Sequence, residues 1–201
     1  MALYADDAAI ISTSFTPKLM GTYLQPALDG LGDWYAKNRI MINISKTNAT
    51  FYTRKEKHAP PQITMSGEAI VWAPSSKYLG VTLDSKLKYN EHVSKVASKT
   101  NGKVGALRPL LRSKSMPMES KLQLIRAIIV PSLIYASPIW SCCQPFLIKK
   151  LQSVQNRAMR AALGVPSYTR TASIHYQLGQ KYLHTVMQEQ NENFYANLSG
   201  H

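Results

Sequence analysis

Cysteine is almost absent from this 201-residue chain, and histidine is thinly scattered. Cys142 and Cys143 are the only cysteines, and adjacent cysteines rarely bridge each other because the geometry of such a disulfide is strained. The five histidines show no CxxC or HxxxH spacing, which argues against a zinc site. These absences predict a protein of a reducing compartment, in the nucleus or cytoplasm and not secreted.

A signal peptide and a long uninterrupted apolar run are also absent. The most apolar stretch, 122–140, is broken by Gln123, Arg126 and Pro131, so it favours a buried core helix over a membrane span. A strand pattern follows Met1 directly, with no cap or preceding element. We therefore expect a truncated domain.

Acidic residues are scarce in only one half of the chain. Residues 1–91 hold 10 basic and 8 acidic side chains, whereas residues 92–188 hold 14 basic side chains and Glu119 as their one acid. Such segregation predicts a second half that grips a polyanion, with phosphate backbones as the natural partner. The alternative is a solvated basic surface that binds nothing.

The pattern of apolar residues predicts an α+β fold with no internal repeat. Helical spacing over 17–38 follows the helix-start signal Thr16-Pro17, although interior proline and glycine weaken this helix, so it must rely on packing against a sheet. From about residue 86 the pattern is helical throughout. Before that point, alternating apolar runs and turn residues predict strands: a hairpin over 3–11, strands at 40–43 and 49–53, a hairpin over 63–72 around Ser66-Gly67, and one strand at 77–83.

The helical half contains three amphipathic helices. The first has an apolar stripe from Val93 to Leu111, with Lys95, Lys99 and Lys103 at i, i+4 and i+8 on another face. The second begins at Pro117 and is expected to kink at Pro131. A third begins at Pro145, buries Leu147, Leu151, Val154, Ala158 and Ala161, and ends at Gly164. The lysine ladder is either a phosphate-binding face or a solvated surface.

Asp6 and Asp7 stand between two apolar runs, which places a pair of carboxylates at the tip of the predicted hairpin. Hard cations such as Mg²⁺ take carboxylate oxygens and keep further positions for water and substrate phosphates. An ordinary polar turn is the alternative. A metal-dependent phosphohydrolase would need further acids, and Asp29 and Asp33 are better explained as surface charges on the following helix.

Four motifs in order resemble the reverse transcriptases of jockey-like non-LTR retrotransposons. The resemblance covers about residues 2–198, and no single motif decides it. The motifs are Tyr4-Ala5-Asp6-Asp7, matching Y-x-D-D; Asn43-Ile44-Ser45-Lys46-Thr47; Lys77-Tyr78-Leu79-Gly80-Val81; and the stretch from Leu151-Gln152 through Asn156-Arg157-Ala158-Met159-Arg160 with Leu163-Gly164.

The resemblance implies a role for each matching residue. Asp6 would ligate the catalytic Mg²⁺, with Mn²⁺ as an alternative ion, and Asp7 would support the metal from the same turn. Tyr4 and Ala5 would lie near the primer end and the incoming nucleotide. Lys46 would sit near the leaving pyrophosphate, or be only a turn lysine. Further contacts would come from two groups: Tyr78, Leu79 and Gly80 at the primer, and Lys95, Lys99, Lys103, Arg157 and Arg160 on the nucleic-acid backbone.

The same resemblance implies a domain division and a reaction. Residues 1–85 would form the C-terminal part of a polymerase palm, built of antiparallel strands and a helix, and residues 86–201 a helical thumb and the region beyond it. The reaction would be two-metal DNA synthesis on an RNA template from a DNA primer. In the family the fingers and the first palm aspartate lie upstream, in the same polyprotein, so the isolated chain is expected to be inactive. A non-catalytic nucleic-acid-binding remnant of a mobile element is the alternative, and neither reading involves a membrane.

Overall fold

A computed structural model of the chain describes residues 2–4, 7–53 and 59–198. The chain divides into two compact units, Met1–Leu87 and Lys88–His201. The first contains three two-stranded antiparallel sheets and one long helix, and the second is helical over its described residues. The α+β class predicted from the sequence is confirmed, with helix predominating. Within the described residues, no helix has both the length and the apolar character needed to cross a membrane.

The first unit alternates short hairpins with its helix. Its elements are β1 (Ala2–Tyr4), β2 (Asp7–Ala9), α1 (Pro17–Lys37), a 3₁₀ turn (Ile44–Lys46), β3 (Thr64–Met65), β4 (Glu68–Ala69), β5 (Ser75–Tyr78) and β6 (Val81–Asp84). Each hairpin pairs consecutive strands, β1 with β2, β3 with β4 and β5 with β6. The first two hairpins and the long helix agree with the sequence prediction.

Two strand predictions are wrong. At 40–43 the chain leaves α1, and the Ile40 N–H donates to the carbonyl of Tyr35 at 2.9 Å in place of a strand partner. Beyond the 3₁₀ turn, Ala49 makes a single parallel bridge to Trp72 and the predicted strand at 49–53 does not form. The Asn43 side chain accepts from the Lys46 N–H, and such a local hydrogen bond competes with extended structure.

The predicted single strand at 77–83 is in fact a hairpin. Tyr78 pairs with Val81, and Leu79 and Gly80 form the two-residue turn between β5 and β6. Both turn residues have positive φ, 45° and 84°, as a type I′ hairpin turn requires. The alternation of apolar residues marks two strands, and it continues through the turn that separates them. Leu79 therefore occupies a conformation that favours glycine.

Helix α1 is anchored to β3 by packing and by one side-chain amide. Leu28 lies in a small buried cluster with Ile63, Met65 and Ile70. Gln25 accepts from the Thr64 N–H and donates to the Thr64 carbonyl, both at 2.9 Å, so its amide imitates a neighbouring strand. This packing against β3 agrees with the sequence expectation.

The second unit is a set of helices around one core. Its elements are α2 (Asn90–Arg112), α3 (Met118–Leu124), a π turn (Ile125–Ile129), α4 (Val130–Ile134), α5 (Ser137–Trp140), α6 (Pro145–Leu163), α7 (Thr171–Leu178) and α8 (Leu183–Leu198). The irregularity expected at Pro131 takes the form of the π turn just before it. A proline ring clashes with the carbonyl four residues earlier, and widening that turn relieves the clash.

Helix α6 runs through the centre of the second unit. Its Leu151, Val154, Ala158 and Met159 are all buried. Gly164 ends it in the left-handed conformation, with φ of 70°. Fully buried side chains from the other helices surround it, among them Val93, Leu111, Ile125, Ile129, Leu133, Trp140, Ile174 and Leu183.

Candidate catalytic hairpin and nucleic-acid interface

The β1–β2 hairpin presents one acidic side chain beside one aromatic side chain. Tyr4 lies directly opposite Asp7 in the antiparallel register, so the two side chains share one face of the hairpin. Both are exposed. Ala5 and Asp6, which join the strands, lie outside the described residues. Downstream of the hairpin, Ile10 packs against the cluster around Leu28 and ties it to the core.

Lys46 lies at the end of the 3₁₀ turn, in a fixed backbone conformation. The Asn43 side-chain oxygen accepts from the Lys46 N–H at 3.2 Å and from the Ser45 hydroxyl at 2.6 Å. Thr47 closes the turn by donating to the Asn43 carbonyl at 3.1 Å. The side chain of Lys46 is exposed. This geometry suits a turn lysine and equally a cation held out toward a phosphate.

Tyr78, Leu79 and Gly80 occupy the tip of the β5–β6 hairpin. Tyr78 and Leu79 are half-buried and Gly80 is exposed. A non-glycine residue with φ of 45° costs roughly 1–2 kcal/mol, and such strain clusters at binding sites. The tip therefore combines an exposed Gly80 with a strained Leu79, which the sequence pattern did not reveal.

The three lysines of α2 do not share one environment. Lys95 is exposed and pairs with Glu91 at 2.6 Å, and Lys99 is exposed as well. Lys103 is half-buried and donates to the Ser132 hydroxyl at 2.6 Å. A step of four residues advances 400° around a helix, so Lys103 is rotated about 80° from Lys95. Lys95 and Lys99 are thus the two lysines that solvent can reach, and Lys95 already pairs with Glu91.

The exposed face of α2 beside Lys95 and Lys99 carries small residues. Ser98, Gly102 and Gly105 are exposed there, and a Cβ added at either glycine would meet nothing within 4 Å. Exposed glycines inside a helix cost about 1 kcal/mol each relative to alanine. The result is a strip of small exposed residues beside Lys95 and Lys99.

The basic residues of α6 are engaged by neighbouring elements. Lys150 donates to the Ser94 hydroxyl at 2.9 Å, and Arg157 donates to the Asn101 side-chain oxygen at 3.0 Å. Both members of the second pair lie seven residues beyond those of the first, so α2 and α6 run in the same direction. Lys150 and Arg157 are nevertheless exposed.

Arg160 differs from Arg157, the other predicted phosphate ligand of α6, because it is half-buried. Its Nη2 donates to the Thr169 carbonyl at 2.8 Å and to the Thr171 hydroxyl at 3.2 Å, and its Nε also donates to Thr169. These contacts fasten the α6–α7 connection. Arg160 is thus placed to organise the backbone of this connection.

The polar residues of the Leu151–Arg160 stretch form a buried network that the sequence analysis did not resolve. Gln152 accepts from the Leu183 N–H at 2.8 Å, while its Nε2 donates to Gln155 at 2.7 Å and to Asn156 at 2.8 Å. Gln155 in turn donates to the Lys181 carbonyl at 3.2 Å. Helix α6 therefore binds the backbone between α7 and α8. The signal was present as polar residues at helical spacing on an otherwise apolar face.

His175 completes this network. Its Nε2 lies 2.9 Å from the Asn156 side-chain oxygen, its Nδ1 lies 2.9 Å from the Gln180 carbonyl, and its ring stacks on Tyr182 at 4.0 Å. Burial lowers the pKa of His175 and nearby Arg160 lowers it further, while the contact with Gln180 opposes them. On α2, burial and then Lys95 lower the pKa of His92, whose ring packs against Trp140.

Known proteins similar to this chain include polymerases of insect mobile elements. The probable RNA-directed DNA polymerase from transposon BS of Drosophila melanogaster is 30% identical over 191 residues, 94% of this chain and 21% of that protein. The corresponding polymerase of the X-element from the same fly is 28% identical over 193 residues, 96% and 21%. The RNA-directed DNA polymerase from mobile element jockey, also of that fly, is 27% identical over 203 residues, 100% and 22%.

This chain is homologous to the RNA-directed DNA polymerases of jockey-like non-LTR retrotransposons. The homology extends over nearly the whole chain, which spans about a fifth of the length of these curated relatives. No protein-family model matches the sequence. No solved structure matches it either.

Proposed function

We propose that the chain is a part of an RNA-directed DNA polymerase encoded by a jockey-like retrotransposon. Residues 1–85 would form the C-terminal part of the palm, and residues 86–201 the thumb and the region beyond it. The observation that carries the proposal is homology to such polymerases over 94–100% of the chain. The exposed Tyr4 and Asp7 on one face of a hairpin support it, because a nucleotidyl-transfer site needs carboxylates that solvent and substrate can reach.

The donor chemistry of the hairpin fits a divalent cation in part. Asp7 offers an exposed carboxylate at the start of β2, and Mg²⁺ in polymerases is held by one or two carboxylates together with water and substrate phosphates. No group of three or more acidic, histidine or cysteine side chains that could hold a metal lies within the described residues. Asp6 and Asp7 would hold Mg²⁺ or Mn²⁺, which supplies charge neutralisation at the transferred phosphate. The remaining protein ligand would come from the rest of the polyprotein.

The α2 strip supports a role in holding nucleic acid. Lys95 and Lys99 flank small exposed residues, and Gly102 and Gly105 leave space against the helix backbone. A phosphate backbone can therefore approach the helix closely while the lysines neutralise it. The partners in this proposal are an RNA template and a DNA primer.

Exposed apolar side chains in the first unit support a further partner, the remainder of the same polyprotein. Ile11, Phe15, Met41 and Val71 are all exposed. The fingers and the rest of the palm would cover these side chains, and burying them would leave no side-chain polar group without a hydrogen bond. The homologous polymerases are long enough to contain both regions.

A chimeric polymerase tests the catalytic part of the proposal. The segment of the jockey polymerase that matches this chain is replaced by these 201 residues, and primer extension on an RNA template is measured. We expect templated DNA synthesis, reduced to background by Asp6→Asn and by at least tenfold by Asp7→Asn. Asp33→Asn, which removes an exposed acid of α1, is the control and should leave synthesis unchanged.

The isolated chain tests the alternative, a nucleic-acid-binding remnant. We expect no primer extension by the chain alone, because one carboxylate cluster cannot bridge two metals ~3.5–4 Å apart. We also expect the chain to bind an RNA–DNA hybrid. In the double variant Lys95→Gln/Lys99→Gln, the slope of log binding constant against log salt concentration should fall by about one for each lysine removed. Lys114→Gln is the control for loss of net charge. Synthesis by the chimera supports the polymerase; hybrid binding together with an inactive chimera supports the remnant.

A further inference from the structure

The connection between α6 and α7 is a short turn with a fixed backbone. Thr169 donates its N–H to the Pro166 carbonyl at 3.2 Å, which closes a turn with Tyr168 near its tip. Arg160 fastens the far side of the turn through two hydrogen bonds to the Thr169 carbonyl. Gly164 ends α6 on the near side in a left-handed conformation. The direction in which Tyr168 leaves the protein is thus set before any ligand arrives.

Tyr168 gains almost nothing from folding, since 86% of it is exposed. Arg170 follows two residues later and is exposed too. A flat ring beside a guanidinium can contact both parts of a nucleotide, the ring by stacking on the base and the cation by pairing with phosphate. Because these hydrogen bonds already hold the turn, binding would order few additional bonds.

The sequence around this turn favours an anionic partner. Between Glu119 and Glu189 the sequence contains no aspartate or glutamate. Duplexes offer their base faces only at their ends, whereas unpaired nucleotides offer a face at every position. A protruding aromatic ring in an acid-free, basic stretch therefore fits single-stranded nucleic acid.

We propose that Tyr168 and Arg170 form a contact site for an unpaired nucleotide, with Tyr168 stacking on its base and Arg170 pairing with its phosphate. This site rests on the proposed role of the helical unit in holding nucleic acid. It extends that role from the duplex to the single strand entering or leaving it. Tyr168 is a binding residue and takes no part in phosphoryl transfer.

The test compares two probes with the 201-residue chain, a single-stranded RNA and a blunt RNA–DNA hybrid. Tyr168→Ala is expected to weaken binding of the single strand by about fivefold to a hundredfold, the range of one base–aromatic stack, and to leave the hybrid unchanged. Tyr168→Phe keeps the ring and should restore binding. Arg170→Gln should lower the salt slope for the single strand by about 0.7.

Tyr176→Ala is the matched control, since this tyrosine of α7 is 92% exposed and lies outside the turn. Equal losses in Tyr168→Ala and Tyr176→Ala, no loss in Tyr168→Ala, or no restoration by Tyr168→Phe would each overturn the site. Hybrid binding that still depends on Lys95 and Lys99 in that case leaves the proposed function standing. A chain that binds neither probe overturns the site together with the duplex-holding role.

Discussion

The two units of this protein bury their side chains to very different extents. Among the described residues, Met1–Leu87 contains five buried apolar side chains and Lys88–His201 contains twenty. In the first unit the candidate metal ligand Asp7 lies on β2, which pairs with β1 in a two-stranded hairpin. Isolated hairpins of this kind have marginal stability in water. The second holds its candidate phosphate ligands on long, well-packed helices. Catalysis is thus proposed for the weakly packed first unit, and nucleic-acid binding for the strongly packed second unit.

The two units differ in burial because helices and strands form their backbone hydrogen bonds over different distances along the chain. Helices satisfy their backbone hydrogen bonds locally, so the second unit can complete its core from its own residues. Strands need neighbours, and within the described residues each sheet of the first unit has only two strands. Under the proposed function, the first unit would therefore gain most from the remainder of a longer polymerase.

The largest loss of stability should come from replacing Trp140, because this change would disrupt the core of the helical unit. Trp140 is fully buried, packs on His92 and donates its indole N–H to the Tyr135 carbonyl at 2.8 Å. Trp140→Ala should lower the free energy of unfolding of the helical unit by about 3–5 kcal/mol, measured by urea denaturation of the 201-residue chain. The neighbouring Ile139 is 52% exposed, so Ile139→Ala should change it by less than about 1 kcal/mol. Similar losses in both variants would contradict the described core.

A smaller loss in the free energy of unfolding is expected when Gln152 is replaced. This change tests whether buried polar contacts also stabilise the second unit. Gln152→Leu removes the acceptor of the Leu183 N–H and leaves the Gln155 and Asn156 oxygens without its amide. Because unsatisfied buried polar groups cost about 1–3 kcal/mol, we expect a loss of that size and faster hydrogen exchange at Leu183. Gln188→Leu, at an exposed position of α8, is the control. Unchanged exchange at Leu183 would contradict the network.

Acidification should weaken the second unit specifically. Burial lowers the pKa of both His92 and His175, reinforced by Lys95 and Arg160 respectively. The folded unit then binds fewer protons than the unfolded chain below the ordinary histidine pKa of about 6.5. Its free energy of unfolding should therefore fall as pH falls from about 6.5 toward 5.

Urea denaturation at several pH values measures this dependence. His92→Phe, which keeps an aromatic ring against Trp140, should reduce the slope, whereas His184→Gln at an exposed position serves as the control. A slope that is unchanged in His92→Phe would show that His92 does not contribute.

Sequence reasoning succeeded where the pattern and the chemistry are both local. The β1–β2 hairpin, α1 and the helices that begin at Met118 and Pro145 follow from apolar spacing and helix-start signals. It failed where alternation continues through a turn, at Leu79-Gly80, and where an Asn43 side-chain hydrogen bond displaced a strand. Both failures lie in the first unit, where few buried contacts reinforce the pattern.

The site was predictable in its residue types and less so in its contacts. Nothing in the spacing of the lysines shows that Lys103 meets Ser132, or that Arg160 fastens a turn. Glycines in α1 were read from the sequence as a weakness. The structure gives two of them a use, since Gly21 and Gly32 lie against Pro61 and Ser66, while Gly30 faces open space.

That difference among glycines supplies the smallest effect, and it concerns the first unit alone. Gly30→Ala should raise the free energy of unfolding of this unit by about 0.5–1 kcal/mol, because alanine is the better helix former and its Cβ meets nothing within 4 Å. Gly21→Ala gains the same propensity but places its Cβ 2.9 Å from the Pro61 Cβ. Since crowding a packed contact costs about 1–3 kcal/mol, we expect Gly21→Ala to be neutral or destabilising. Thermal unfolding of both variants decides: equal gains would show that the 59–63 segment does not pack on α1, and that the first unit is looser than its buried cluster indicates.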